Sequence, residues 1–157
     1  MLNAGRSISP EEESRMLDEK TIETVKAALQ DYAAAYSRCD AESVLALTAP
    51  EFMAFGSGSD EVCTDRDEYA KGLERDFIQC DDLVMEFDDI RVAGVGDAAW
   101  IAAGCTITPT FEGKSEPLRG RMTAVFRRDG ERWLCTLTHF SLPCSEQEEG
   151  ESSPSSE

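Results

Sequence analysis

Three kinds of side chain in this sequence could do chemistry: a pair of tyrosines, one arginine inside an apolar strand, and a single histidine near the end of the last strand. Tyr32 and Tyr36 are four residues apart in Asp31-Tyr32-Ala33-Ala34-Ala35-Tyr36, so on a helix their rings share a face. Their hydroxyls either enter a pocket, where each can donate to a ligand oxygen, or are satisfied locally as core residues. Arg121 has the strand parity of Thr123 and Val125. Projecting inward, its guanidinium would bind a carboxylate or another anion; the alternative is pairing with one of the protein's own carboxylates. His139 is the sole histidine, and parity sets it opposite Phe140, facing outward. Cys135 shares its face but sits four residues away, roughly 13 Å along a strand, so the pair makes no nucleophilic dyad. The cysteines Cys39, Cys63, Cys80, Cys105, Cys135 and Cys144 contain no C-x-x-C pair and no zinc spacing. Free thiols are expected, although an even count leaves oxidised pairs open. The pairs Asp81-Asp82 and Asp88-Asp89 lack the glycine-punctuated spacing of a calcium loop. No metal and no cofactor is expected.

These residues need elements to hold them. Val25, Ala28, Leu29, Tyr32, Ala33 and Tyr36 recur at helical spacing and predict a helix over 20–37 with a small apolar face, suited to lying on a sheet. Asp40 predicts the N-cap of a short second helix through Leu47. Phe52-Met53-Ala54-Phe55 reads as a strand, residues 56–60 as a loop, and residues 61–63 as a short return strand. Thr64 predicts the cap of a third helix over 65–79, with Tyr69, Leu73, Phe77 and Ile78 as its buried stripe. Four strands follow, separated by turns at 94–97, 112–114 and 129–131. Helices followed by an antiparallel meander predict an α+β domain over 20–143. A polar arm precedes it at 1–19, and the acidic, Ser/Pro-rich 144–157 reads as a disordered tail.

Charge excludes some partners. The net charge of −17 repels nucleic-acid phosphate and anionic membrane surfaces. No stretch reaches the roughly 18 apolar residues of a membrane span, and the N-terminus lacks the apolar core of a signal peptide, so the expected location is cytoplasmic. Neither face of the last strand is polar: Trp133, Cys135, Leu137 and His139 line one, Leu134, Thr136, Thr138 and Phe140 the other. A sheet covered on both faces fits this pattern, with helices on one side and a second subunit on the other. A homodimer is expected.

Four segments carry a family resemblance: DYAAAYSRCDAESVLAL, FMAFGSG, DRDEYAKGLERDF and RMTAVFRRDGERWLCTLTHFSLP. In this order they resemble SnoaL-like members of the nuclear transport factor 2-like superfamily, and also the association domain of calcium/calmodulin-dependent protein kinase II. The resemblance implies a cone-shaped α+β fold, a strongly bent sheet wrapped around a long N-terminal helix with two further helices. It also implies an apolar pocket between them. In that pocket the expected lining comprises Tyr32, Tyr36 and Phe55, the strand residues Ile101, Cys105, Arg121 and Thr123, and Thr136, Thr138 and Phe140. Ketosteroid isomerases of this superfamily use a carboxylate base, a tyrosine and a protonated acid. Tyr32 matches the tyrosine, but the base position falls on or beside Gly56 and the second acid on Thr123. A slip in the 56–60 loop would bring Asp60 or Glu61 to the pocket instead. The sequence therefore reads as a small-molecule-binding domain with no evident catalytic set. The alternatives are an isomerase-, cyclase- or dehydratase-like enzyme on a small cyclic or polyketide-like substrate, using Tyr32, and an oligomerisation module like the kinase association domain.

Overall fold

In a computed structural model, which describes residues 7–13 and 16–154, carboxylates start the three main helices. Parts of the expected arm and tail, residues 1–6, 14–15 and 155–157, lie outside the described residues. Helix α1 (Pro10–Glu13) is a single turn, held by a reciprocal exchange between Ser9 and Glu12. Helix α2 (Glu19–Ser37) begins at Asp18, whose carboxylate accepts from the Thr21 amide at 2.7 Å. Helix α3 (Ala41–Ala46) begins at Asp40, which accepts from Ser43 N at 3.1 Å. Helix α4 (Arg66–Ile78) is capped by Asp65, not Thr64 as the sequence suggested. Asp65 accepts from Glu68 N at 2.8 Å, while the Glu68 carboxylate reaches back to the Thr64 amide and hydroxyl. The box forms one residue later because Glu68, not Asp67, is long enough to return to the chain before the cap.

The strands are β1 (Thr48–Phe55), β2 (Val62–Cys63), β3 (Asp82–Val95), β4 (Ala98–Phe111), β5 (Lys114–Ser115), β6 (Leu118–Asp129) and β7 (Arg132–Ser141). Their order is β2-β1-β7-β6-β4-β3, with β5 added on β4. Only β1 and β7 run parallel; the other pairings are antiparallel. Register shifts interrupt β3 between Asp88 and Arg91, and the β6–β7 ladder at Val125/Phe126. Such bulges bend a strand and increase its twist. The sheet curls around α2 without closing, which makes the molecule an α+β cone. Val25, Leu29, Tyr32 and Ala33 form the buried stripe of α2 at the i, i+4, i+7, i+8 spacing of an amphipathic helix. They share one core with Met85, Ile101, Cys105 and Phe126 from the inner face of the sheet.

The curling overturns part of the predicted strand parity. In β6 the inner row is Met122, Ala124 and Phe126, all buried; Arg121 and Thr123 are exposed on the opposite face. In β7, Trp133 and Cys135 face inward, the bulge absorbs one residue, and Thr138 and Phe140 resume the inner row. Thr136 sits at that bulge, its hydroxyl donating to the Val125 carbonyl at 3.2 Å. On α4, Tyr69 and Leu73 are buried, whereas Ile78 is 83% exposed and leaves the predicted stripe.

The inner wall admits one close approach that only glycine allows. A Cβ on Gly120 would lie 2.5 Å from the Phe140 ring and from the Ser141 carbonyl oxygen. Gly120→Val should therefore force Phe140 off its site and destabilise the fold by about 1–3 kcal/mol, the usual range for overpacking. Urea denaturation checks this as a lower midpoint at unchanged slope.

A tyrosine-lined cavity as the candidate functional site

Helices α2 and α4 stand over the inner face of the sheet and leave between them a cavity of about 630 Å3. The helical wall holds Tyr32 and Tyr36 from α2 and Tyr69, Leu73 and Asp76 from α4. The sheet wall supplies Leu83, Met85, Ile107, Met122, Thr138 and Phe140. The chain has three tyrosines, and all three line this cavity.

The Tyr32 and Tyr69 hydroxyls hydrogen-bond to each other, joining α2 to α4 at the inner end of the cavity. Burial raises all three phenols well above their ordinary range, so each remains a neutral O–H. The pair owns two hydroxyl hydrogens and its mutual bond uses one. Among the described residues neither hydroxyl has another hydrogen-bond partner. One O–H is therefore left to donate to whatever occupies the cavity. Tyr36 stacks on Tyr32 at 6.2 Å between ring centroids and meets Phe77 edge-on at 5.1 Å.

The mouth is polar. A Cβ on Gly56 would fall 2.2 Å from Glu61 Oε2, so the space that a side chain at 56 would take is filled by the Glu61 carboxylate. Glu61 Oε2 accepts from the Gly58 amide at 2.8 Å, and Oε1 lies 3.4 Å from Arg75 Nη2. Arg75 also donates to Asp76 Oδ1 from Nε and Nη2, at 3.0 and 2.9 Å, and lies 3.8 Å from Asp60. Burial lifts the Asp76 carboxyl above the usual carboxylate range, against the opposing pull of Arg75 and the Tyr36 hydroxyl beside it. A half-buried carboxylate poised this way can take or give a proton, or hold a positive group.

Five of the residues expected at the pocket are at this cavity: Tyr32, Tyr36, Phe55, Thr138 and Phe140. Phe55 borders the mouth and also meets His139, 5.5 Å away between ring centroids. Ile101 and Cys105 face inward but belong to the packed core. Arg121 and Thr123 project from the other face of the sheet, and Thr136 is spent at the bulge, so none of these three meets the cavity. The sequence reading missed Tyr69, Arg75 and Asp76 as site residues. Asp76 follows Tyr69 by seven residues and Leu73 by three, so a carboxylate on the buried stripe of a helix was the available signal. The cysteines are free. Burial pushes the Cys105 and Cys135 thiols up to about 12, and raises Cys63 and Cys80 at the mouth; none of these four is an activated thiolate. Among the described residues no group of three or more His, Cys, Asp or Glu side chains could hold a metal ion.

A bent, unclosed sheet curled around a long helix, with a hollow in the cone, defines the nuclear transport factor 2-like class. Solved structures agree on the fold. A nuclear transport factor 2-like protein of unknown function from Pseudomonas putida superposes with a TM-score of 0.72 at 20% identity, over 81% of this chain and 89% of that one. A proposed dehydratase of the same class from Streptomyces avermitilis gives 0.74 at 20% identity, over 81% and 99%. A proposed calcium/calmodulin-dependent protein kinase II association domain from Xanthomonas campestris gives 0.72 at 22% identity, over 92% and 99%. No curated protein sequence matches significantly. Within this class the chain belongs to the SnoaL-like domain family, whose sequence pattern matches residues 25–145.

Asp76 gives this site a pH signature. Its value is higher in the folded chain than in the unfolded one, so the folded state favours the protonated carboxyl. That contribution to stability is fully present below the unfolded value and is lost as pH rises through the folded value. Asp76→Asn keeps the neutral form at every pH. It should raise the melting temperature near neutral pH, and the difference should vanish below the ordinary carboxylate range. Thermal melts followed by circular dichroism at the two pH values check the sign.

Proposed function

We propose that this chain binds a small, partly apolar molecule in the cone, with the Tyr32–Tyr69 pair donating a hydrogen bond to an acceptor on the ligand. The observation that carries the reading is the gathering of every tyrosine at one cavity with a hydroxyl hydrogen unspent. The volume of about 630 Å3 suits a drug-sized molecule, and an apolar wall with a few placed polar groups is the usual composition of such sites. The expected inward arginine is on the other side of the sheet, so the cavity has no Arg121 to receive an anion. A second reading, an enzyme that moves a proton, is favoured by one observation: Asp76, raised by burial, stands on the same wall as the tyrosine pair. Two of the structural relatives carry proposed dehydratase names. The oligomerisation reading has one relative behind it, the proposed association domain.

The outer face of the sheet supports a homodimer. Trp100 on β4 and Met53 on β1 are each about half exposed on it, apolar surface that a second copy would cover. Across the same face, Glu86 and Asp88 on β3 stand two strands from Arg119 and Arg121 on β6. A two-fold axis would bring the acidic edge of one copy against the basic row of the other. No helix among the described residues is long and apolar enough to cross a membrane. A cytoplasmic location remains part of this proposal.

Two experiments test the reading. Gly72 lies at the cavity on α4, and a Cβ there meets nothing within 4 Å. Gly72→Ala should gain about 0.5–1 kcal/mol from helix propensity and leave binding intact. Gly72→Phe should fold as well and lose a small molecule that co-purifies with the wild type, read by mass spectrometry of the extracted protein. Retention of that molecule by the Phe variant argues against the cavity. Size-exclusion chromatography with light scattering should give twice the chain mass, and Trp100→Glu should reduce it to the monomer.

A further inference from the structure

We propose that the ligand is an organic cation: a flat apolar body with a hydrogen-bond acceptor at its inner end and an amine at its outer end, held against Asp76. This rests on the reading of the cavity as a small-molecule site. The inner requirement comes from Tyr32 and Tyr69, which are only 3% and 8% exposed. Their mutual bond leaves one hydroxyl hydrogen without a protein acceptor among the described residues, and it lies at the cavity. A buried donor left unpaired is costly, so the occupant needs an acceptor there.

The outer requirement comes from the charges at the mouth. Four carboxylates border the cavity, Asp60, Glu61, Glu68 and Asp76, against the cations Lys71 and Arg75. The Arg75 guanidinium is committed to Asp76, Glu61 and Asp60, and Glu68 is turned to Thr64. Lys71 is exposed and makes no ion pair among the described residues. Both hydrogen bonds from Arg75 to Asp76 fall on Oδ1, which leaves Oδ2 free of the guanidinium. An amine at that oxygen gains a charge-assisted hydrogen bond in a half-buried setting. The Tyr36 hydroxyl beside the Asp76 carboxyl adds an oxygen that can accept from the same amine. A carboxylate ligand meets an arginine already satisfied and a net negative rim on a chain of charge −17, with the solvent-exposed Lys71, whose charge water and salt screen, left to receive it.

The test uses three probes with one body: tyramine, tyrosol and hydroxyphenylacetate share a phenol and end in an amine, an alcohol and a carboxylate. Dissociation constants are measured by ligand-observed NMR at neutral pH, with the wild type and with Asp76→Asn. Tyramine should bind about tenfold or more tighter than tyrosol, and hydroxyphenylacetate weakest. Asp76→Asn should weaken tyramine several-fold and bring it to within about twofold of tyrosol. Binding of the carboxylate as tight as the amine overturns the cation assignment and leaves the cavity reading standing, as does an amine preference that survives Asp76→Asn. Absence of saturable binding by all three overturns both.

Discussion

The hydrogen bond between Tyr32 and Tyr69 is the interaction on which the rest of the cone depends. It joins two helices from positions 37 residues apart and fixes α4 over the sheet. With α4 fixed, Asp76 and Arg75 are brought to the mouth, and the loop after β1 is tied down through Glu61. Both hydroxyls are deeply buried, so losing either would leave its partner to pay the desolvation of an unpaired O–H. The same bond is incomplete as a polar network, because two donors and one bond leave a hydrogen over. The fold thus contains a site that is satisfied structurally and unfinished chemically.

Much of the architecture was legible in the sequence. Asp40 starts a helix because its carboxylate reaches the amide three residues on; Asp18 does the same for α2, although the sequence reading placed it in the polar arm. Val25, Leu29, Tyr32 and Ala33 mark the buried stripe of α2 by spacing alone. The meander follows from turns at Gly96-Asp97, Gly113 and Gly130, where positive φ suits glycine. Parity in β6 was legible too, since Met122, Ala124 and Phe126 form an unbroken apolar row beside Arg121 and Thr123. The inward assignment of Arg121 gave a single charged residue more weight than that row. The β7 bulge was not legible. No residue in Trp133-Leu134-Cys135-Thr136 announces it, and it arises from the curvature needed to wrap α2.

The site was less legible than the fold, because it is built across elements distant in sequence. The expected base position, Gly56, has no side chain, yet the carboxylate of Glu61 lies where one would project. The loop between β1 and β2 thus places a carboxylate beside Gly56 from five residues further along the chain. Asp76 is the clearer miss. An aspartate on the stripe of Tyr69 and Leu73 breaks the apolar pattern, and a break of that kind is how a helix displays a functional group to a cavity. Burial raises its carboxyl, so keeping it ionised near neutral pH is a cost to the fold.

The central claim is that the tyrosine pair presents a donor to an occupant of the cone. Tyrosine labelled with carbon-13 at the hydroxyl-bearing ring carbon gives one NMR signal per residue, and the chain has only three. Titration with acetophenone, which offers a carbonyl acceptor and no donor, reads those signals directly. The account predicts saturable shifts of Tyr32 and Tyr69, larger than that of Tyr36. Signals that stay still, or a shift confined to Tyr36, would contradict it.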